Sequence, residues 1–270
     1  MSGTWHKILT SAPHRRIFFL ALRRLNLIKT LWFNFRVLPL RQALRIPIWI
    51  YGRISFVSLR GRGEIRAKHI SPAMIHLGFP EDMYFNPKEG GVINNDGKII
   101  FNGPIFIACG YNLRTYDQGS ISFGEGIKLG AKLNLVSHSS GIRIGDHSRI
   151  AFESVIMDSG FHFIKSLNDP LVHNVDAEVV IGNYNWISNR TVVNKGTRTP
   201  DNLIVASGSL LNKDYTKDIP EYSLIGGTPA KFIKGNISRI WNGQTEVKLR
   251  EYFTQSGAQA LEVDDSTPLK

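Results

Sequence analysis

Four histidines, His138, His147, His162 and His173, stand in one stretch of this 270-residue sequence. An imidazole titrates near neutral pH, so it can take a proton from a weakly acidic hydroxyl as that hydroxyl attacks a carbonyl. Several imidazoles together can hold zinc, but the intervals between these four give no convincing ligand set. The single cysteine, Cys109, excludes an intrachain disulfide and cysteine-rich zinc motifs. No base lies near it in sequence to make it a nucleophile. Nothing in the cysteine content argues for an oxidising compartment, and a cytoplasmic location is the expectation.

The elements that must position these side chains announce themselves as a repeat of six. Apolar residues stand at Phe101, Ile107 and Leu113, at Phe123, Leu129 and Leu135, and at Ile144, Ile150 and Ile156. The series resumes at Ile181, Ile187 and Val193 and ends on Thr199, Val205 and Leu211, with Thr199 its one polar member. The next residue is often small, as at Ala108, Gly124, Gly130, Gly145, Ala151, Gly182, Ser188 and Ala206.

A helix repeats at 3.6 and a plain strand at 2, so a period of six calls for a short strand and a tight corner. Three such units make a triangular coil, each apolar residue points inward, and stacked coils pair their strands in parallel. Every departure from six falls after a third unit: Leu113 to Phe123, Leu135 to Ile144, and the long step from Ile156 to Ile181. Insertions therefore leave this series from one corner. Upstream, Ile65, Ile75, Ile93 and Ile99 suggest earlier coils that the repeat does not phase.

The net charge of +11 is confined to one end. Residues 1–63 carry twelve Lys and Arg, and the first acidic residue is Glu64; the remainder is nearly neutral. A nucleic-acid partner is therefore not expected of the coiled region. The apolar runs 17–22 and 25–35 are too short and too interrupted by Arg23, Arg24 and Lys29 to span a bilayer or to serve as a signal peptide. Two readings stay open for residues 1–63: a helical cap on the core or on oligomer partners, and a basic amphipathic helix on an anionic membrane surface. The division expected is 1–63 appendage, 64–235 coiled domain, and 236–270 C-terminal helix and tail, with the helix over 236–253.

Residues 181–189 (Ile-Gly-Asn-Tyr-Asn-Trp-Ile-Ser-Asn), Val205 to Ser209, Asn212-Lys213-Asp214 and Gly226 to Lys231 occur in the order of a known motif set. In these the chain resembles the hexapeptide-repeat acyltransferases, nearest to those that O-acetylate sugars and polysaccharides. The resemblance implies an all-β core, a left-handed parallel β-helix, with a basic N-terminal helical region and a short C-terminal helix. It implies acetyl-CoA as co-substrate, no metal, a homotrimer, and a sugar hydroxyl as acceptor in a surface polysaccharide, lipopolysaccharide or precursor.

Residue roles follow from the same resemblance. His162 occupies the place of the catalytic base, with Asp158 as its orienting carboxylate; family versions often read Asp-x-Asp-x-His, and here Gly160 stands at the second Asp. The backbone N–H of Asn189 would receive the oxyanion and Trp186 would wall the thioester end. Ser188, Asn189, Ala206 and Ser207 would line the pantetheine groove, and Lys213, Lys231 and Lys234 would meet the phosphates, with Lys195 a weaker addition. The alternatives are an N-acetyltransferase of amino sugars, a serine acetyltransferase, a γ-carbonic-anhydrase-like zinc enzyme, and a scaffold without chemistry.

Overall fold

The computed structural model describes residues 21–80 and 88–263. After a helical stretch at 21–24 come two helices, α1 (Leu27–Val37) and α2 (Leu40–Ala43). Strands then follow in triplets. The first coil is β1 (Ile48–Ile50), β2 (Ile54–Ser58) and β3 (Arg62–Ile65); the second is β4 (Ile75–Phe79), β5 (Gly91–Asn95) and β6 (Lys98–Phe101). The third is β7 (Ile105–Ala108), β8 (Asn112–Thr115) and β9 (Ser120–Phe123), and the fourth β10 (Ile127–Leu129), β11 (Asn134–Ser137) and β12 (Ile142–Ile144). The fifth is β13 (Arg149–Ile150), β14 (Val155–Met157) and β15 (Val179–Ile181). Pairs β16 (Trp186–Ile187) and β17 (Val192–Val193), then β18 (Ile204–Val205) and β19 (Leu210–Leu211), continue the stack. It closes with β20 (Leu224–Gly227), β21 (Ala230–Lys234) and, after an irregular segment, α3 (Gly243–Ser256).

Each strand from β1 to β20 pairs with the strand one coil away, which yields three parallel sheets, and β21 adds to the first of them antiparallel to β20. Face one runs β1-β4-β7-β10-β13-β16-β18-β20, face two β2-β5-β8-β11-β14-β17-β19, and face three β3-β6-β9-β12-β15. Face three continues through single bridges from Val180 to Arg198 and from Arg198 to Asp214.

The ladders follow the repeat of six. Phe101, Phe123, Ile144 and Ile181 are partners in one column. Ile107, Leu129, Ile150, Ile187 and Val205 form the second, and Leu113, Leu135, Ile156, Val193 and Leu211 the third. All are buried in one continuous core. Thr199 is buried too, and its hydroxyl accepts from the Gly182 N–H at 3.0 Å and donates to Asn185 Oδ1 at 2.8 Å. A polar residue is tolerated there because both halves of its hydroxyl are satisfied.

Small residues follow the inward ones because the next coil passes close. A Cβ on Gly145 would stand 2.6 Å from the backbone nitrogen of Asn183. No side chain fits in that gap.

The unphased upstream isoleucines now have places. Ile65 pairs with Phe101 and Ile93 with Leu113, while Ile75 and Ile99 lie two residues earlier, opposite Ile105 and Ile121. Their register was hidden by insertions at other corners, 66–74 between β3 and β4 and 80–90 between β4 and β5.

Helix α1 closes the open edge of face one with side chains in place of a strand. Asn34 Nδ2 donates to Ile48 O at 2.7 Å, Ile48 N–H donates to Asn34 Oδ1 at 3.2 Å, and Ile50 N–H donates to Thr30 Oγ1 at 3.1 Å. Gln42 does the same for face three, donating to Ile65 O at 2.8 Å and accepting from Ile65 N–H at 2.9 Å. Outside face one, Tyr51, His76, Phe79 and Phe106 form a ring cluster, with His76 stacked on Phe106 at 4.5 Å and 2.8 Å from the Tyr51 hydroxyl. Burial pushes His76 down to about 4, against a hydrogen bond to the Ala73 backbone.

Two expected boundaries move. The division at 63/64 falls within β3, and the first coil begins at Ile48. The C-terminal helix begins at Gly243 rather than 236, because Asn242 accepts from Gln244 N–H and Thr245 N–H as its N-cap. It ends at Ser256 with Gly257 in the left-handed conformation. The expected frayed tail from 254 is thus helical at its start, and residues 264–270 lie outside the described residues, as do 1–20 of the N-terminal region.

Candidate functional site

The long insertion, residues 158–178, leaves the corner between faces two and three. Its stem is held at the root, where Gly160 N–H donates to Val175 O at 2.8 Å and Ala177 N–H donates to Asp158 O at 2.9 Å. Lys195 Nζ donates to Asn174 O at 2.6 Å, so this lysine secures the returning arm. His162 stands beyond the stem, exposed to solvent, with its N–H donating to Gly160 O at 2.7 Å.

Asp158 is fully buried, and its carboxylate faces the chain one coil earlier. It accepts from His138 N–H at 2.6 Å, Ser137 Oγ at 2.9 Å, Ser140 N–H at 3.0 Å and Gly141 N–H at 2.6 Å. These four donors are what a buried carboxylate needs. No hydrogen bond joins Asp158 to His162 among the described residues.

A histidine and carboxylate do meet nearby, on residues the motifs did not single out for catalysis. His138 Nδ1 lies 3.5 Å from Asp176 Oδ1, and the His138 ring packs between Tyr116 at 5.6 Å and Phe161 at 5.4 Å. Hydroxyls of Ser159 and Ser139, and then His138, hold the Asp176 carboxyl below the usual carboxylate range.

The groove residues share a different edge. Ser188 and Asn189 follow β16, Ala206 and Ser207 follow β18, and both turns lie between faces one and two. Ser207 Oγ donates to Asn189 Oδ1 at 2.8 Å and Gly208 N–H donates to Asn189 O at 2.9 Å, which ties the two coils together. At the end of this edge Lys231 pairs with Gly226, and Lys234 with Leu224. Both lysines are exposed. Lys213 lies after β19, toward the insertion corner, with Nζ 3.2 Å from Asp218 and over the Tyr215 ring.

Trp186 points outward from face one, in a column with Lys128, Arg149, Ile204 and Leu224. The irregular segment before α3 crosses this column. Ile237 N–H donates to Tyr222 O at 2.9 Å, and the Arg239 guanidinium lies 5.1 Å from the Trp186 ring and 4.8 Å from that of Trp241. Trp241 in turn packs edge-on to Tyr184 at 5.7 Å. The motifs located Trp186 but gave no sign of its cover, since cation–π partners follow no spacing rule.

One chain therefore carries its candidate groups on two corners: His162, Lys195 and Lys213 toward one, and Ser188, Asn189, Ala206, Ser207 and Lys231 on the other. Among the described residues no group of three or more His, Cys, Asp or Glu is placed to hold a metal ion. Cys109 is buried against Ala131 and Phe152.

No family model matches the sequence. WbbJ of Escherichia coli (strain K12), provisionally named a lipopolysaccharide biosynthesis O-acetyltransferase, is 26% identical over 159 residues, 55% of this chain and 79% of WbbJ. Galactoside O-acetyltransferase of the same strain is 27% identical over 142 residues, 48% of this chain and 64% of that enzyme, less than two thirds of its length. Among solved structures, the polySia-specific acetyltransferase NeuO is similar with a TM-score of 0.51 over 81% of this chain and 90% of NeuO, at 16% identity. That last likeness is one of fold. On the repeat, the parallel coils and these relatives, the chain is similar to the hexapeptide-repeat acyltransferases, and its fold is a left-handed parallel β-helix.

Proposed function

We propose that the chain transfers an acetyl group from acetyl-CoA to a hydroxyl of a sugar in a surface polysaccharide, lipopolysaccharide or their precursor. The observation that carries this reading is the edge on which Asn189, tied to Ser207, lies in line with Lys231, beside Trp186. The pantetheine arm would lie along Ser188, Asn189, Ala206 and Ser207, and Lys231 and Lys234 would meet the phosphates. The relatives, named for O-acetyl transfer to glycans, support the acceptor class.

In the proposed step His162 takes the proton of the acceptor hydroxyl as its oxygen bonds to the thioester carbonyl carbon. The backbone N–H of Asn189 donates to the oxyanion. Collapse breaks the carbon–sulfur bond, the ester departs, and the imidazolium returns its proton to the thiolate. The His138 ring, beside Asp176 at the root of the insertion, packs against Phe161, the residue that precedes His162.

The same reading makes the working unit a homotrimer, because His162 and Asn189 lie on different corners of one prism. Three prisms side by side would set the histidine of one chain against the groove of the next. The expected location is cytoplasmic, peripheral at the inner face of a membrane. Among the described residues no helix is long and apolar enough to cross one.

A mass-spectrometric screen of acetyl-CoA with nucleotide sugars and oligosaccharides tests the function. Acetyl esters on a sugar are expected. Acetylation confined to an amino sugar nitrogen or to serine, with no sugar ester formed, overturns the reading in favour of those acceptors. Light scattering tests the assembly, and a fully active monomer rules it out.

A further inference from the structure

The first-coil end of the prism presents a surface that acetyl transfer does not use. Helix α1 is apolar on two sides. Phe33 and Val37 point inward beside Thr30 and Asn34, while Leu27, Ile28, Leu31, Trp32 and Phe35 are exposed. Ile28 is 81% exposed and Trp32 59%. The helix cannot roll to hide them. Asn34 and Thr30 are hydrogen-bonded to β1, and Phe33 stacks on Phe56 at 5.6 Å. Five large apolar side chains at positions i, i+1, i+4, i+5 and i+8 make a continuous stripe along one side.

Cations surround the stripe. Arg23, Arg36, Arg41 and Arg45 are exposed, and residues 1–63 include no acidic side chain. Beside α2, whose Leu40 and the following Leu44 are each 65% exposed, Arg41, Arg45, Lys68 and His69 line a groove of about 350 Å³ floored by Ala67 and Ile70. Donors of positive charge next to exposed leucines suit an anionic headgroup joined to a hydrocarbon tail.

We infer that this end of the molecule docks on an anionic phospholipid bilayer. The α1 stripe enters the acyl boundary, and the Arg41–Arg45–Lys68–His69 groove seats a lipid phosphate. Charge decides between this occupant and a second copy of the chain. Apposing two copies of the same acid-free segment would bring like charges together at a desolvated contact, which costs free energy. An anionic leaflet neutralises them, at about 1 kcal/mol for each Lys or Arg near the surface. The inference does not depend on the acetyl-transfer reading, since none of these residues lies at the candidate site.

The test is flotation of the full-length chain with vesicles of phosphatidylcholine, alone or with phosphatidylglycerol. Retention is expected only on the phosphatidylglycerol vesicles and is expected to weaken as salt rises. Ile28→Ser with Trp32→Ser should lower partitioning at least tenfold, and Arg41→Gln with Arg45→Gln about thirtyfold. Acetylation of a water-soluble acceptor should be unchanged in both, which also shows that the variants fold. Equal retention on both vesicle types, or on neither, overturns the inference. So does Ile28→Ser/Trp32→Ser that alters the oligomer mass without altering partitioning, because the stripe is then a contact between copies. Unaltered partitioning with unaltered mass means that the stripe does not enter the bilayer, and release by millimolar inorganic phosphate alone means that the groove serves a free ion; each of these also overturns it.

Discussion

The carboxylate of Asp158 receives the Gly141 N–H at 2.6 Å, so the residue that opens the long insertion also fastens the corner one coil earlier. Its other donors, Ser137 Oγ and the N–H groups of His138 and Ser140, belong to the same corner. Asp158→Asn would set an amide N–H against one of these donors. The expected outcome is a loss of about 2–4 kcal/mol in stability, measured by urea unfolding, since a buried acceptor has been replaced by a donor. A variant with unchanged stability but a shifted pH–rate profile would instead make Asp158 a partner of His162.

His162→Ala should lower kcat by about 10²–10⁴, the usual contribution of a positioned proton acceptor. Calorimetry should find acetyl-CoA still bound. Lys231→Ala should give the opposite pattern, a raised KM for acetyl-CoA and a smaller change in kcat. Near-normal turnover in His162→Ala would move the base elsewhere, with His138 beside Asp176 the next residue to substitute.

Arg239 lies over Trp186 and Trp241 together. Cation–π contacts of this kind are worth about 0.5–2 kcal/mol. If the Trp186 ring walls the thioester end, Arg239→Ala should raise KM for acetyl-CoA by about 2- to 30-fold and shift the indole emission, and Arg239→Lys should recover part of both. Unchanged kinetics with a shifted emission would make the C-terminal segment a cover of purely structural use.

His76 carries a pH signature. In the unfolded chain it takes up a proton near 6.5, whereas in the buried ring cluster it does so near 4. Between those values the unfolded state binds more protons, so stability falls as pH drops through that window, by up to about 3 kcal/mol. Urea unfolding at several pH values from 7.5 to 4.5 should give a slope that His76→Gln flattens. An equal slope in the variant would mean that other groups set the acid sensitivity.

The coils from Phe101 to Leu211 were legible because each turn of a solenoid repeats the demands of the last: one inward apolar residue, then a small one where the next backbone passes. Gly145 against Asn183 shows that demand at one corner. The earlier coils were not legible, since the insertions before β4 and β5 break the spacing while leaving the ladder intact. At the candidate site, the groove motifs pointed to Asn189 and Lys231, which the fold sets on one edge. The bonds of Asp158 to an earlier coil, the pairing of His138 with Asp176 and the cover of Arg239 on Trp186 were not visible, because each joins segments separated by coils or by an insertion of arbitrary length.

A stack of parallel coils has no internal reason to stop. Each coil offers the next the same row of N–H and C=O groups, and one molecule could continue another into a filament. Here β20 turns back on itself as antiparallel β21, and at the other end the amides of Asn34 and Gln42 occupy the edges of β1 and β3. These are terminators. They oppose end-to-end polymerisation, and replacing Asn34 and Gln42 together by alanine would strip the N–H and C=O groups of Ile48 and Ile65 of these partners.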